Sequence, residues 1–140
     1  MASRQVLIWV SVALSVLLPV HGSAELATPE EAAAVAANWA TYIAGTTGGW
    51  GGAERPVVTG RTEIVVSDTL VGWCFHLSPS GHVVVPAIKE LPPVKSYSDR
   101  YGMSVGDLDG YAKLVGDVLH DRARVLVDAY GSMEASAPPL

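Results

Sequence analysis

Cysteine occurs once in the 140 residues. The lone Cys74 excludes an intrachain disulfide and a thiolate metal cluster. Charge is scarce too, at 16%, and its positive share is the smaller: 9 Lys+Arg stand against 14 Asp+Glu, a formal -5. The tightest basic group is Arg122-Ala123-Arg124, so the footprint of a nucleic-acid binder is missing. The apolar share of 49% excludes intrinsic disorder, and the length is that of one domain.

Arg4 is the sole charge before Glu25, and an apolar run follows it from Val6 to Val20. That run holds about 15 residues, short of the roughly 20 that cross a bilayer. Gly22 and Ala24 then supply the small residues that precede a cleavage site. The pattern predicts a signal peptide over 1–24, a mature chain starting at Glu25, and a secreted or periplasmic protein without stable membrane insertion once the signal is gone. No Cys follows the run, so a lipid anchor on Cys is excluded. A small exported domain without disulfides must rest on its apolar core alone.

Within 25–131 the order of elements reads α-β-β-β-(β)-α, an α+β domain with an antiparallel sheet of three to four strands. Thr28-Pro29-Glu30-Glu31 predicts a capped helix start, a capping box closed by Glu31. Ala32, Val35, Ala36, Trp39, Ala40 and Ile43 keep helical spacing, and Gly45 is the expected cap at the far end. Strands are expected over Thr62–Val66, Thr69–Leu77 and His82–Ala87, with turns at Ser67-Asp68 and Ser78–Gly81. Val94–Tyr97 is expected as a short edge strand beyond Pro92 and Pro93. A last helix is expected from Asp107 or Asp109 to about Tyr130, with Leu108, Tyr111, Leu114, Val115, Val118, Leu119, Leu126 and Ala129 as its apolar stripe. Residues 132–140 read as a loose tail.

A four-residue hairpin loop would set Leu77 opposite His82, Phe75 opposite Val84 and Trp73 opposite Pro86. One face would then carry Val71, Trp73, Phe75, Leu77 and Val84 against the helices. The other would carry Gly72, Cys74, His76, Val83 and Val85.

Chemistry is sparse. Cys74 and His76 share a strand face and could act as nucleophile and base, yet a lone Cys in an apolar strand reads first as a small buried hydrophobe. The expected register puts His82 on the opposite face, and His120 lies on a helix, so no metal site is expected. Ser80 lacks the surrounding glycines of a nucleophile elbow, and Gly48, Gly49, Gly51 and Gly52 lack the Lys of a phosphate loop. Catalytic residues, metal and cofactor are therefore all expected to be none. Exposed apolar loops stand out instead. Trp50 lies among those glycines, either projecting as recognition material or folding back as a lid on the core. Leu91, Pro92 and Pro93, with Val94, form a stiff apolar loop between Lys89 and Lys95. Trp50, Leu91, Pro92 and Pro93 are the candidate contact residues.

The stretch from Phe75 to Ala87, with His76-Leu77-Ser78-Pro79-Ser80-Gly81 and Val83-Val84-Val85-Pro86, runs on into Lys89-Glu90-Leu91-Pro92-Pro93-Val94-Lys95-Ser96-Tyr97-Ser98. This block, densest over 73–98 and preceded by a helix with Val35-Ala36 and Asn38-Trp39, resembles the Spi family of propeptide-like inhibitors of streptopain-type cysteine proteases. The resemblance implies a cystatin-like or PepSY-like α+β fold. It also implies a non-enzymatic, monomeric inhibitor or folding chaperone whose partner is a secreted papain-like protease. The alternatives from the residues alone are an exported envelope module without a protease target, or a small Cys/His hydrolase built on Cys74 and His76.

Overall fold

The computed structural model describes residues 24–106 and 110–131, and residues 133–135 as backbone. Residues 1–23 of the expected signal peptide and the expected helix starts at Asp107 and Asp109 lie outside these residues. The elements are β1 (Ala24–Leu26), α1 (Pro29–Thr47), β2 (Val57–Val66), β3 (Thr69–Ser78), β4 (His82–Pro86), β5 (Ser96–Ser98), α2 (Tyr111–Tyr130) and β6 (Met133–Ala135). The arrangement is α+β: β2-β3-β4-β5 form a four-stranded antiparallel sheet between the two helices.

The capping box forms. The Thr28 hydroxyl accepts from Glu31 N at 3.1 Å, and Glu31 Oε2 accepts from Thr28 N at 2.8 Å. α1 runs past Gly45 to Thr47, and in its last turn the Thr46 and Thr47 hydroxyls donate back to the Ile43 carbonyl. Gly48 is the left-handed cap. β2 begins at Val57 rather than Thr62, and Ser67 and Asp68, both at positive φ, make the two-residue turn into β3.

The β3–β4 register differs from the expected one by one residue. His76 faces His82, Phe75 faces Val83 and Trp73 faces Val85. The connection from Leu77 to Gly81 is one residue longer than a four-residue loop, with Leu77 N donating to Gly81 O at 3.2 Å. A single-residue slip exchanges faces, so Val83 and Val85 join Trp73, Phe75 and Leu77, while Val84 joins Cys74.

Val71 also changes sides. The β2 partners step from Gly72 (opposite Ile64) to Leu70 (opposite Val65), which leaves Val71 as the extra residue of a bulge. Leu70 then packs with Trp73, and Val71 with Cys74.

The two helices do not share one face. α1 lays Ala32, Ala36, Ala40 and Ile43 on the Trp73–Phe75–Leu77 side. α2 lays Val115 and Leu119 on the opposite side, over Ile64, Val71, Cys74 and Val84. Burial on both faces explains why β3 and β4 are nearly continuous apolar runs. The α2 stripe is narrower than expected: Tyr111, Leu114 and Ala129 are exposed, and Val115, Gly116, Leu119 and Ala123 are buried.

Part of the expected loose tail is ordered. Met133–Ala135 pair in parallel with Ala24–Leu26, and Ala24 is buried with Ile88 and Ala123 in a third cluster.

Candidate binding surface

The chain leaves β4 at Pro86 and reaches β5 at Ser96 through a connection whose ends are fixed. Leu91 N donates to Ile88 O at 3.2 Å, closing a tight turn, and Lys95 N donates to Val84 O at 2.9 Å. Ile88 is buried, and Val94 packs on the α1-side core. Leu91 packs on the other two clusters. Between these anchors Pro92 and Pro93 are exposed.

A hollow lies on each side of this ridge. One, about 270 Å³, is bounded by Ala27, Val35, Ile88, Leu91 and Pro93. The other, about 310 Å³, is bounded by Pro86, Leu91, Pro92, Leu119 and the cations of Lys95 and Arg122. Leu91 forms the wall between them, with Pro93 facing one hollow and Pro92 the other. Three of the four candidate residues therefore meet in one surface feature.

Trp50 is not part of it. It is 0% exposed and sits in the α1-side core, so its expected exposure is overturned and the lid reading is what the fold adopts. Its backbone exchanges two 2.8 Å hydrogen bonds with Ala53 across Gly51-Gly52, both at positive φ. The tryptophan is thus the first residue of a tight turn, and the Gly51-Gly52 pair was the sequence signal for it.

Polar groups cluster at the root of the ridge. Lys89 Nζ reaches Glu25 Oε1 at 2.9 Å and Glu31 Oε1 at 3.1 Å. The hydrogen bonds it donates to the Glu25 and Glu31 carboxylates hold the Lys89 ammonium above its ordinary pKa. The Thr28 backbone N–H, and then Lys89, hold the Glu31 carboxyl below its own. All three side chains are substantially exposed, so these pairs orient β1 and α1 more than they stabilise them.

The Cys/His constellation takes a different form from the one expected. His76 faces His82 across the hairpin, so His82 lies on the same face as Cys74 and His76. The imidazoles are committed elsewhere: His76 Nε2 lies 2.8 Å from Thr62 Oγ1, and His82 Nδ1 lies 2.6 Å from the Tyr101 carbonyl. Cys74 is fully buried, and burial pushes its thiol up to about 11. A thiol so placed holds almost no thiolate at neutral pH, the form a nucleophile needs. Among the described residues no three His, Cys, Asp or Glu side chains converge as metal ligands.

One further feature escaped the sequence reading. Trp39 lies between Tyr42, tilted to it, and Tyr97, edge-on to it, at 5.8 and 5.4 Å between ring centroids, and Tyr97 also meets Trp50 at 6.0 Å. The Trp39–Tyr42 spacing of three on a helix was the available signal; Tyr97 comes to it from β5.

No family model, no curated protein and no solved structure matches this chain. Among the described residues no helix is long and apolar enough to cross a membrane.

Proposed function

We propose that the chain is an exported, propeptide-like inhibitor of a streptopain-type cysteine protease, and that the Leu91–Val94 ridge, not Trp50, enters the protease cleft. One observation carries the reading: an apolar segment, fixed at both ends, presents Pro92 and Pro93 to solvent between two hollows. Proline fixes φ, so the ridge has little freedom left to lose on binding. A groove that clasps the ridge would also cover the hollows, burying apolar surface around a rigid anchor. The class of target comes from the resemblance over 73–98; a chaperone role toward the same protease would use the same surface.

The burial of Cys74 weighs against the Cys/His hydrolase reading, because its thiol is closed to solvent and to substrate. Occupancy of the cleft is testable directly. The chain should bind a streptopain-type protease and fail to bind the same protease once a covalent peptidyl inhibitor fills its active site. Equal binding to both forms would move the contact away from the cleft and overturn the inhibitor reading.

A further inference from the structure

β1 is held against the root of the ridge by main-chain bonds. Ala27 N donates to Ala87 O at 2.8 Å, Lys89 N donates to Glu25 O at 2.9 Å, and Leu26 bridges Ile88. At the head of this strand the Glu25 nitrogen lies 2.9 Å from Glu90 Oε1 and 3.2 Å from Glu90 Oε2. The single peptide hydrogen is shared between both carboxylate oxygens in a three-centre bond, which leaves room for further donors on the same atoms. The same nitrogen belongs to the residue that follows the small-residue pattern Gly22-Ser23-Ala24.

We propose that Glu90 is a receptor for the α-ammonium created at Glu25 when the chain is processed, a proposal that rests on the export reading. Hydrolysis of the Ala24–Glu25 bond by a signal peptidase consumes one water. It leaves a carboxylate on Ala24 and an amine on Glu25. An α-amine has a pKa of about 7.7–8.0, so it takes up a proton at neutral pH and has three hydrogens to donate. The cut takes Ala24 out of the third cluster, while the Ala27–Ala87 and Lys89–Glu25 main-chain bonds still hold β1, so both Glu90 oxygens then receive charge-assisted bonds.

The surroundings suit an added cation. Glu25 and Glu31 gather on Lys89, and Glu90 stands at the Glu25 nitrogen, so three carboxylates and one ammonium share this corner. From β6, the backbone sets Glu134 opposite Glu25. Glu90 directly precedes Leu91, so capture of the new terminus ties the processed end of the chain to the base of the ridge. Processing thereby completes the anchoring of the binding surface, and a chain still carrying its leader lacks this ion pair.

The test uses the protein exported from its own full-length reading frame. Its N-terminal residue is read by mass spectrometry, and its α-amine pKa by the pH dependence of reductive methylation followed by NMR. The expected result is a chain starting at Glu25 whose α-amine titrates about one unit or more above the ordinary value, as an opposed charge at this range produces. In Glu90→Gln, which keeps the shape and removes the charge, the value should return to the ordinary range. An intact Met1 would overturn the processing reading and the proposal with it, and a cut at another position would overturn the proposal alone. An N-terminus at Glu25 with an ordinary α-amine pKa would overturn the capture alone. A raised value that survives Glu90→Gln would remove Glu90 as the receptor.

Discussion

The Trp50 indole Nε1 donates to the Ser80 carbonyl at 2.7 Å, thirty residues downstream. This bond pins the glycine-rich loop after α1 onto the β3–β4 hairpin, and Ser80 Oγ in turn donates to Asp99 O at 2.7 Å beyond β5. Three connections from distant parts of the chain are thus joined at one end of the sheet, with the indole ring inside the core. Trp50→Ala should lower stability by about 3–5 kcal/mol in denaturant unfolding, the usual cost of truncating a buried aromatic. Trp50→Phe keeps most of the ring and strands the Ser80 carbonyl, so it should cost about 1–3 kcal/mol. Near-wild-type midpoints for both would contradict the lid.

The same corner makes two glycines behave differently. At Gly81 (φ 95°) an added Cβ would lie 2.1 Å from the Ser98 carbonyl oxygen, a main-chain atom of the neighbouring strand. At Gly48, the α1 cap (φ 85°), it would meet nothing within 4 Å. Gly48→Ala should therefore cost only about 1 kcal/mol, the left-handed backbone penalty. Gly81→Ala must in addition push β5 away, so its unfolding midpoint should fall clearly further. Equal losses would show that the hairpin and β5 are not packed as described.

Cys74 predicts a pH dependence. Its thiol rises from 9.0 to about 11 through burial. Below pH 9 the thiol is protonated whether folded or unfolded, and it contributes no slope. Between pH 9 and 11 the unfolded chain ionises while the folded chain does not, so stability falls as pH rises. The loss approaches 2–3 kcal/mol at the upper end, at about 1.4 kcal/mol per pKa unit. Cys74→Ala should flatten the stability curve over that window by this difference. Folded Cys74 should also resist alkylation at neutral pH; fast labelling would restore a reactive thiol.

The elements themselves were legible in the sequence wherever a local rule decides them. Thr28 and Glu31 announced the start of α1, and Ser67-Asp68 announced the β2–β3 turn. What escaped depends on partners distant in the chain. The bulge at Val71 arises from how β2 lies on β3, and the hairpin register from a loop one residue longer than the expected four. Composition reported a glycine loop around Trp50, but only the Ser80 carbonyl and the α1-side core determine that the indole turns inward. The exposure of Pro92 and Pro93 was legible because prolines interrupt a ladder locally; the hollows on either side require α1 and α2 to be in place.

The ridge offers a variant that separates stiffness from fold. Replacing Pro92 and Pro93 together by Gly leaves Leu91 and Val94 as anchors and removes the two fixed φ angles. Both prolines are exposed, so no core contact is lost, and freeing two φ angles in the unfolded chain should cost only about 1–2 kcal/mol. Affinity for the protease should fall about thirtyfold or more, the mark of a lost 2 kcal/mol hot spot. An unchanged affinity would place the contact elsewhere, with the exposed Tyr42–Trp39–Tyr97 cluster as the next surface to test.

The account stands or falls on inhibition. The processed chain, titrated into a streptopain-type cysteine protease turning over a peptide substrate, should suppress activity to completion near one equivalent. Added substrate should relieve the suppression competitively. Undiminished turnover with excess chain, for every such protease tried including any encoded beside it, would overturn the inhibitor proposal.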